Sequence, residues 1–211
     1  MSRLRYNRRQ AVDHLRAACP SLRRFIGGCG PLRLRVEAGG DVFTALSRAI
    51  VYQQLSGRAA ATIHARFAEL FADGRPAPAE TLRLDPARLR GAGLSRGKAL
   101  AIRDLAARSL DGSLASMRRL GRLDDAAVIE NLCRVRGIGP WTAQMFLIFT
   151  LGRPDVMPAS DLGVQKGVRA VYGLDELPSP DEVLARTRHL APFRSAASWY
   201  FWRAAETVLP T

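Results

Sequence analysis

RVRGIGPWTA, residues 134 to 143, sets Gly137, Gly139 and Pro140 immediately ahead of QMFLIFTL, as apolar a run as the chain contains. A tight turn almost without side chains, followed by a helix that belongs in a core, predicts a helix, a hairpin and a second helix. Gly137 and Gly139 bracket one apolar residue, Ile138, which can pack inward as an anchor. With no Cβ to shield it, such a turn takes positive φ and exposes consecutive backbone N–H groups. The helix that follows adds its unsatisfied first amides and the positive end of its dipole. Together these make an anion site with no charged side chain. Pro140 suits the first helical turn, and Thr142 and Ala143 are small enough to let helices approach. Taken alone, the same residues also describe an ordinary helix–helix turn with a glycine cap.

The rest of the chain favours an anion as the partner. Its 211 residues carry 32 Lys and Arg against 19 Asp and Glu, a formal charge of +13. Nucleic acid is the first partner such an excess suggests, although all the cations except Lys98 and Lys166 are arginines, which composition bias also produces. No run approaches the roughly 18 apolar residues of a membrane span, and no apolar stretch follows the basic start MSRLRYNRRQ. Cys19, Cys29 and Cys133 match neither a disulfide framework nor, with His14, His64 and His189, a zinc or iron–sulfur site. The expected setting is a reducing cytoplasm, at the nucleoid in a bacterium, and the expected state is a monomer.

Helical periodicity with plausible caps recurs along most of the length. After a turn at Gly39-Gly40, Asp41 opens DVFTALSRAIVY; Ser56 opens SGRAAATIHARFAELF; Pro86 sits in the first turn of DPARLRGAG. Ser95 and Asp124 cap the next two helices, and beyond the hairpin come PWTAQMFLIFTL, DLGVQKGVRAVYG, SPDEVLARTRHL and FRSAASWYFWRAAETVL. Only LRLRVE at 32 to 37 alternates like a strand. The fold class is therefore all-α, one compact unit in two helical lobes, with no fixed-period repeat.

Downstream of the hairpin, DVMPASDLGVQKG makes a resemblance specific. The hairpin at Arg136 to Ala143, a Gly/Pro-rich loop at Gly152 to Ala159 and an aspartate at Asp161 resemble the signature of the helix-hairpin-helix (HhH-GPD) DNA glycosylase superfamily. IVYQQLSGRAA (50–60), GLSRGKA (93–99) and PFRSAASWYFWR (192–203) further resemble its 3-methyladenine DNA glycosylase II branch. The resemblance covers roughly 41 to 206, without the N-terminal β-rich domain of larger members or the iron–sulfur cysteines of the endonuclease branch. It implies two helical lobes, one near 1–40 plus 157–211 and the other near 41–156, with a cleft between them.

It also implies a site. Asp161 would stabilise the oxocarbenium-like sugar and orient water, a role compatible with its evident fitness as a helix cap. Trp141 and Trp202, with Met145 one turn beyond Trp141, would wall the pocket that receives a flipped base; ordinary core packing is the alternative. An indole face favours cationic methylated purines such as 3-methyladenine and 7-methylguanine by about 0.5–2 kcal/mol per contact. Gly137, Ile138, Gly139 and Thr142 would meet the DNA backbone, the loop Gln53-Gln54-Leu55 would supply a wedge (Gln54 or Leu55), and Lys98 with Arg96 would contact phosphate. Backbone carbonyls near Arg134 and Arg136 offer an optional structural site for K⁺ or Na⁺, with no obligatory metal or cofactor. Bifunctional members carry a nucleophilic lysine where this chain has Trp141, so the implied activity is monofunctional excision from double-stranded DNA containing a damaged base. The competing readings are a non-catalytic DNA-binding hairpin protein, a glycosylase for another damaged base, and a protein-interaction scaffold with compositional charge.

Overall fold

The computed structural model describes residues 4–37 and 40–207. Every regular element among them is helical, and the chain divides into two compact units: Met1–Ala38 with Leu147–Thr211, and Gly39–Phe146.

The first unit opens with α1 (Arg8–Ala18) and α2 (Pro20–Cys29). Asn7 caps α1 by accepting from the Gln10 N–H, and the Cys19 sulfur accepts from the Leu22 N–H at the start of α2. Ala11, Leu15, Leu22 and Ile26 are buried, at a spacing that lines one face of each helix. Residues 32 to 37 are extended but pair with no strand, contrary to the reading of LRLRVE. Leu32 and Leu34 are buried while Arg33 and Arg35 face outward, so the alternation reports a backbone with one covered face. Its polar groups go elsewhere: the Glu37 N–H donates to Phe149 O, and Arg8 donates to Leu34 O.

The second unit holds α3 (Val42–Tyr52), α4 (Gly57–Ala68), α5 (Pro78–Arg83), α6 (Pro86–Gly91), α7 (Arg96–Asp111), α8 (Met117–Leu120) and α9 (Asp125–Cys133). Asp41, Ser95 and Asp124 accept from the amides of Thr44, Lys98 and Ala127, as residues of their kind do at N-caps. Ser56 begins α4 without a side-chain cap bond. α10 (Pro140–Phe149) starts in the second unit and ends in the first.

The division between units falls inside α10, between Phe146 and Leu147. The Gly/Pro-rich loop is secured within the first unit: the Arg153 N–H donates to Leu147 O, and the Phe149 ring stacks on Trp202 at 5.6 Å. The unit is completed by α11 (Leu162–Tyr172), α12 (Pro180–Thr187), a short 3-10 turn at Arg188–Leu190, and α13 (Arg194–Thr207). Ser179 and Glu182 form a reciprocal capping box on α12. Gly39 of the expected Gly39-Gly40 turn and Val208 and Leu209 of the expected last helix lie outside the described residues.

α11 lies directly against α13, and two glycines one turn apart allow it. A Cβ at Gly167 would overlap the carbonyl of Phe201. One at Gly163 would stand 2.9 Å from Trp202 Cδ1 and 3.0 Å from Asp161 Oδ1. Only glycine permits that approach, and it sets the position of Trp202 beside Asp161.

Candidate functional site

In the second unit, the hairpin joins α9 to α10. Gly137 turns the chain at φ +77°, a region closed to most side chains, and a Cβ there would also touch Ala101. Ile138 is buried, as an anchor must be. Not every amide of the turn is available. The Ile138 N–H donates to Val135 O, and the Arg136 N–H donates to Asp104, itself paired with Arg108. Among the described residues, the amides of Gly137, Gly139 and Thr142 have no protein acceptor, so the anion cradle is discontinuous in sequence. The carbonyls of Val135 and Gly137 accept protein hydrogen bonds, from Ile138 N–H and Gln53 Nε2. Those of Arg134 and Arg136 accept none from the described residues. No cluster of three or more His, Cys, Asp or Glu occurs among the described residues.

Two expected DNA contacts face inward instead. The Thr142 side chain is buried, and its hydroxyl lies 3.4 Å from Gln53 Nε2, which also donates to Gly137 O at 3.0 Å. Lys98 is half-buried, and its Nζ donates to Val51 O at 2.8 Å and Gln53 O at 2.7 Å. Desolvation pushes that ammonium below its usual range. A cation at the end of α3 meets carbonyls that have no partner within the helix, which explains why it prefers them to solvent. Gln54 and Leu55, by contrast, are exposed, and Gln54 is the non-glycine residue with a left-handed φ, +57°, among the described residues. Such a backbone costs about 1 kcal/mol. Trp141 is 43% exposed on α10, with half-buried Met145 one turn along the same face.

In the first unit, Asp161 caps α11, and its Oδ1 accepts from the Val164 N–H at 2.9 Å and from Trp202 Nε1 at 2.8 Å. Trp202 is therefore placed differently from a free pocket wall. Its edge is bound to the carboxylate and one face is stacked on Phe149. Tyr200 and Phe201 are core, with the Tyr200 hydroxyl donating to Gly30 O.

The loop leading to Asp161 is fixed by the start of α13. Arg194 makes a bidentate pair with Asp155 at 2.7 and 2.8 Å. Ser195 Oγ accepts from the Val156 N–H, and the Ser195 N–H donates to Pro154 O. Burial opposes ionisation of Asp155, but the Arg194 hydrogen bonds and charge outweigh it and hold the carboxyl below the ordinary range. None of these anchors, nor the Gly163–Gly167 spacing, was anticipated from the sequence, although glycines four apart on one helix are a readable sign of close packing.

In the second unit a glycine hairpin presents backbone amides unpaired among the described residues, and in the first a carboxylate is fixed at a helix start by an amide and an indole N–H. A family model, HhH-GPD superfamily base excision DNA repair protein, matches residues 47–193. The chain belongs to that superfamily, in its 3-methyladenine DNA glycosylase II branch. It is 36% identical over 167 residues to DNA-3-methyladenine glycosylase 1 of Schizosaccharomyces pombe, covering 79% of this chain and 73% of the relative. It is 34% identical to a putative DNA-3-methyladenine glycosylase of Bacillus subtilis, covering 79% of this chain and 60% of that protein. Among solved structures, the S. pombe 3-methyladenine DNA glycosylase in complex with abasic DNA matches with a TM-score of 0.87 at 33% identity. That match covers 96% of this chain and 99% of the other.

Among the described residues, no helix is long and apolar enough to cross a membrane.

Proposed function

We propose that this protein excises cationic methylated purines, 3-methyladenine and 7-methylguanine among them, from double-stranded DNA and leaves an intact abasic strand. The observation that carries the reading is Asp161, whose Oδ1 is oriented by both a backbone amide and an indole N–H. A carboxylate fixed on two sides does not reorganise as the sugar becomes cationic, and that preorganisation is where electrostatic catalysis gains most. The bond to be broken is the one between sugar C1′ and the base nitrogen; its electrons leave with the base, whose own positive charge is thereby neutralised. Water then adds to C1′ and gives up a proton to Asp161 or to solvent. A base that is already cationic needs no general acid to depart.

The hairpin amides of Gly137, Gly139 and Thr142 bind a DNA phosphate in this reading, and exposed Gln54 or Leu55 enters the space left by the flipped base. Exposed Trp141 supplies the face against which the cationic ring stacks, with Met145 beside it. Trp202 orients Asp161 and contributes whichever face Phe149 leaves open.

Hydrolysis rather than lyase chemistry is supported by the lysines. A Schiff base needs an amine at C1′. Trp141 has none, Lys98 Nζ is occupied by two carbonyls, and Lys166 lies at i+5 from Asp161, off its face of α11. The protein would meet its substrate in the cytoplasm.

The reading is tested with an end-labelled duplex containing a single 7-methylguanine. Strand breaks should appear only after alkali, and borohydride should trap no protein–DNA adduct. Breaks without alkali, or an adduct lost in Lys166→Ala, would overturn the hydrolytic assignment.

A further inference from the structure

We infer that Lys98 and Gln53 form a positioning clamp that makes the exposed Gln54-Leu55 tip and the Gly137 hairpin one rigid body, so that phosphate docking and entry of the tip into the duplex occur together. The inference rests on the reading above that this tip enters the duplex.

Gln53 is held at three points. Its N–H donates to Ala49 O at the end of α3, and its carbonyl accepts from Lys98 Nζ at 2.7 Å. Its side-chain amide donates to Gly137 O at 3.0 Å, with Thr142 Oγ1 3.4 Å away. These partners come from α7, the hairpin and α10, so a single residue ties the end of α3 to the phosphate-facing turn. Lys98 adds a second point on α3 through Val51 O. The restraints stop at Gln53. Gln54, in a left-handed conformation, has no side-chain hydrogen bond to the described residues, and Leu55 is 39% exposed.

An anchored base and a bare tip suit a part that must press into a base stack without being deflected. A disordered loop would lose ordering entropy on every insertion, whereas a loop already fixed in its strained turn does not. The clamp also accounts for a lysine spent on carbonyls in a protein whose other cations, Lys166 aside, are arginines. An ammonium is a compact donor that can reach two carbonyls, where a planar guanidinium suits carboxylate or phosphate.

Insertion can be read without chemistry. A duplex carrying a tetrahydrofuran abasic analogue beside 2-aminopurine brightens when that base is unstacked. Wild-type protein at saturation should give a clear increase. Lys98→Met and Gln53→Leu should each give less than about half of it at saturation, because they bind with the tip outside the stack. If Lys98 instead touches phosphate, Lys98→Met should flatten the log–log salt slope by about 1; a clamp leaves the slope as in wild type. Melting temperatures confirm that the variants are folded, and Gln53→Leu carries the test if Lys98→Met is not. Full wild-type brightening in either folded variant, a slope reduced by about 1, or no brightening by wild type would overturn the clamp. Brightening by wild type that both variants lose, in a protein that releases no base, would sustain the clamp and refute the proposed function.

Discussion

Replacing Asp161 by Asn separates the two things this residue does. Asn retains an Oδ1 that can accept from both the Val164 N–H at 2.9 Å and Trp202 Nε1 at 2.8 Å, so the cap and the indole contact survive. Asn also caps helices as well as Asp, and the melting temperature should hardly move. What disappears is the negative charge. At about 4 Å from the developing sugar cation, and with an effective dielectric near 20, that charge is worth roughly 4 kcal/mol. Converted to rate, this is about three decades. Part of the loss is recovered by the dipole of the amide oxygen, so a fall of at least about 10²-fold is expected, the scale of removing one preorganised electrostatic group. The assay is single-turnover release of 7-methylguanine from a defined duplex at saturating protein, with affinity measured in parallel by fluorescence anisotropy. Excision at the wild-type rate, with affinity unchanged, would return Asp161 to the role of helix cap and refute the electrostatic argument.

Trp202→Phe keeps a ring against Phe149 but removes the donor to Asp161; excision should fall about tenfold, the worth of one hydrogen bond to a charged group, with DNA affinity preserved. A rate unchanged in single turnover would show that the indole N–H does not orient the carboxylate. Gly167→Ala drives a Cβ into the Phe201 carbonyl and should lower the melting temperature by roughly 2–12 °C, from 1–3 kcal/mol of overpacking at about 2–4 °C each; an unshifted melting curve would contradict the close approach of α11 and α13. Asp155, with its pKa depressed by Arg194, stabilises the fold above the unfolded carboxylate value near 4 and loses that contribution as pH falls through its lower folded value. Asp155→Asn should therefore melt earlier at pH 7 and show a shallower loss of stability below pH 4; equal slopes for the two proteins would dismiss the ion pair as a stabilising element.

Much of this was legible because helix starts are written locally. Asp41, Ser95, Asp124 and Asp161 each stand where their side chain accepts an amide three residues on, and Ser179 closes a capping box. α2 escaped the same reading because a cysteine sulfur does the capping, and α8 because a four-residue helix has no periodicity to show. LRLRVE misled because alternation measures one buried face, which an unpaired extended segment has as surely as a strand.

The site divides along the same line. Asp161 and the hairpin lie within one stretch of chain, so the resemblance to the family signature picks them out. Trp202 meets Asp161 across 41 residues, and Lys98 meets Val51 across 47; nothing local announces such pairs. Lys98 reads as a phosphate contact because a lysine beside a helix start usually faces water. Here the unsatisfied carbonyls ending α3 compete for it and win.

If the proposed function holds, methylated purines leave DNA as free bases. Chromatography of the soluble fraction after incubating wild-type protein with randomly methylated duplex DNA tests it directly. 3-Methyladenine and 7-methylguanine should appear in excess of a protein-free control, with the DNA remaining as alkali-labile but unbroken strands. Release no greater than the control, from DNA that the protein demonstrably binds, would contradict the proposed function.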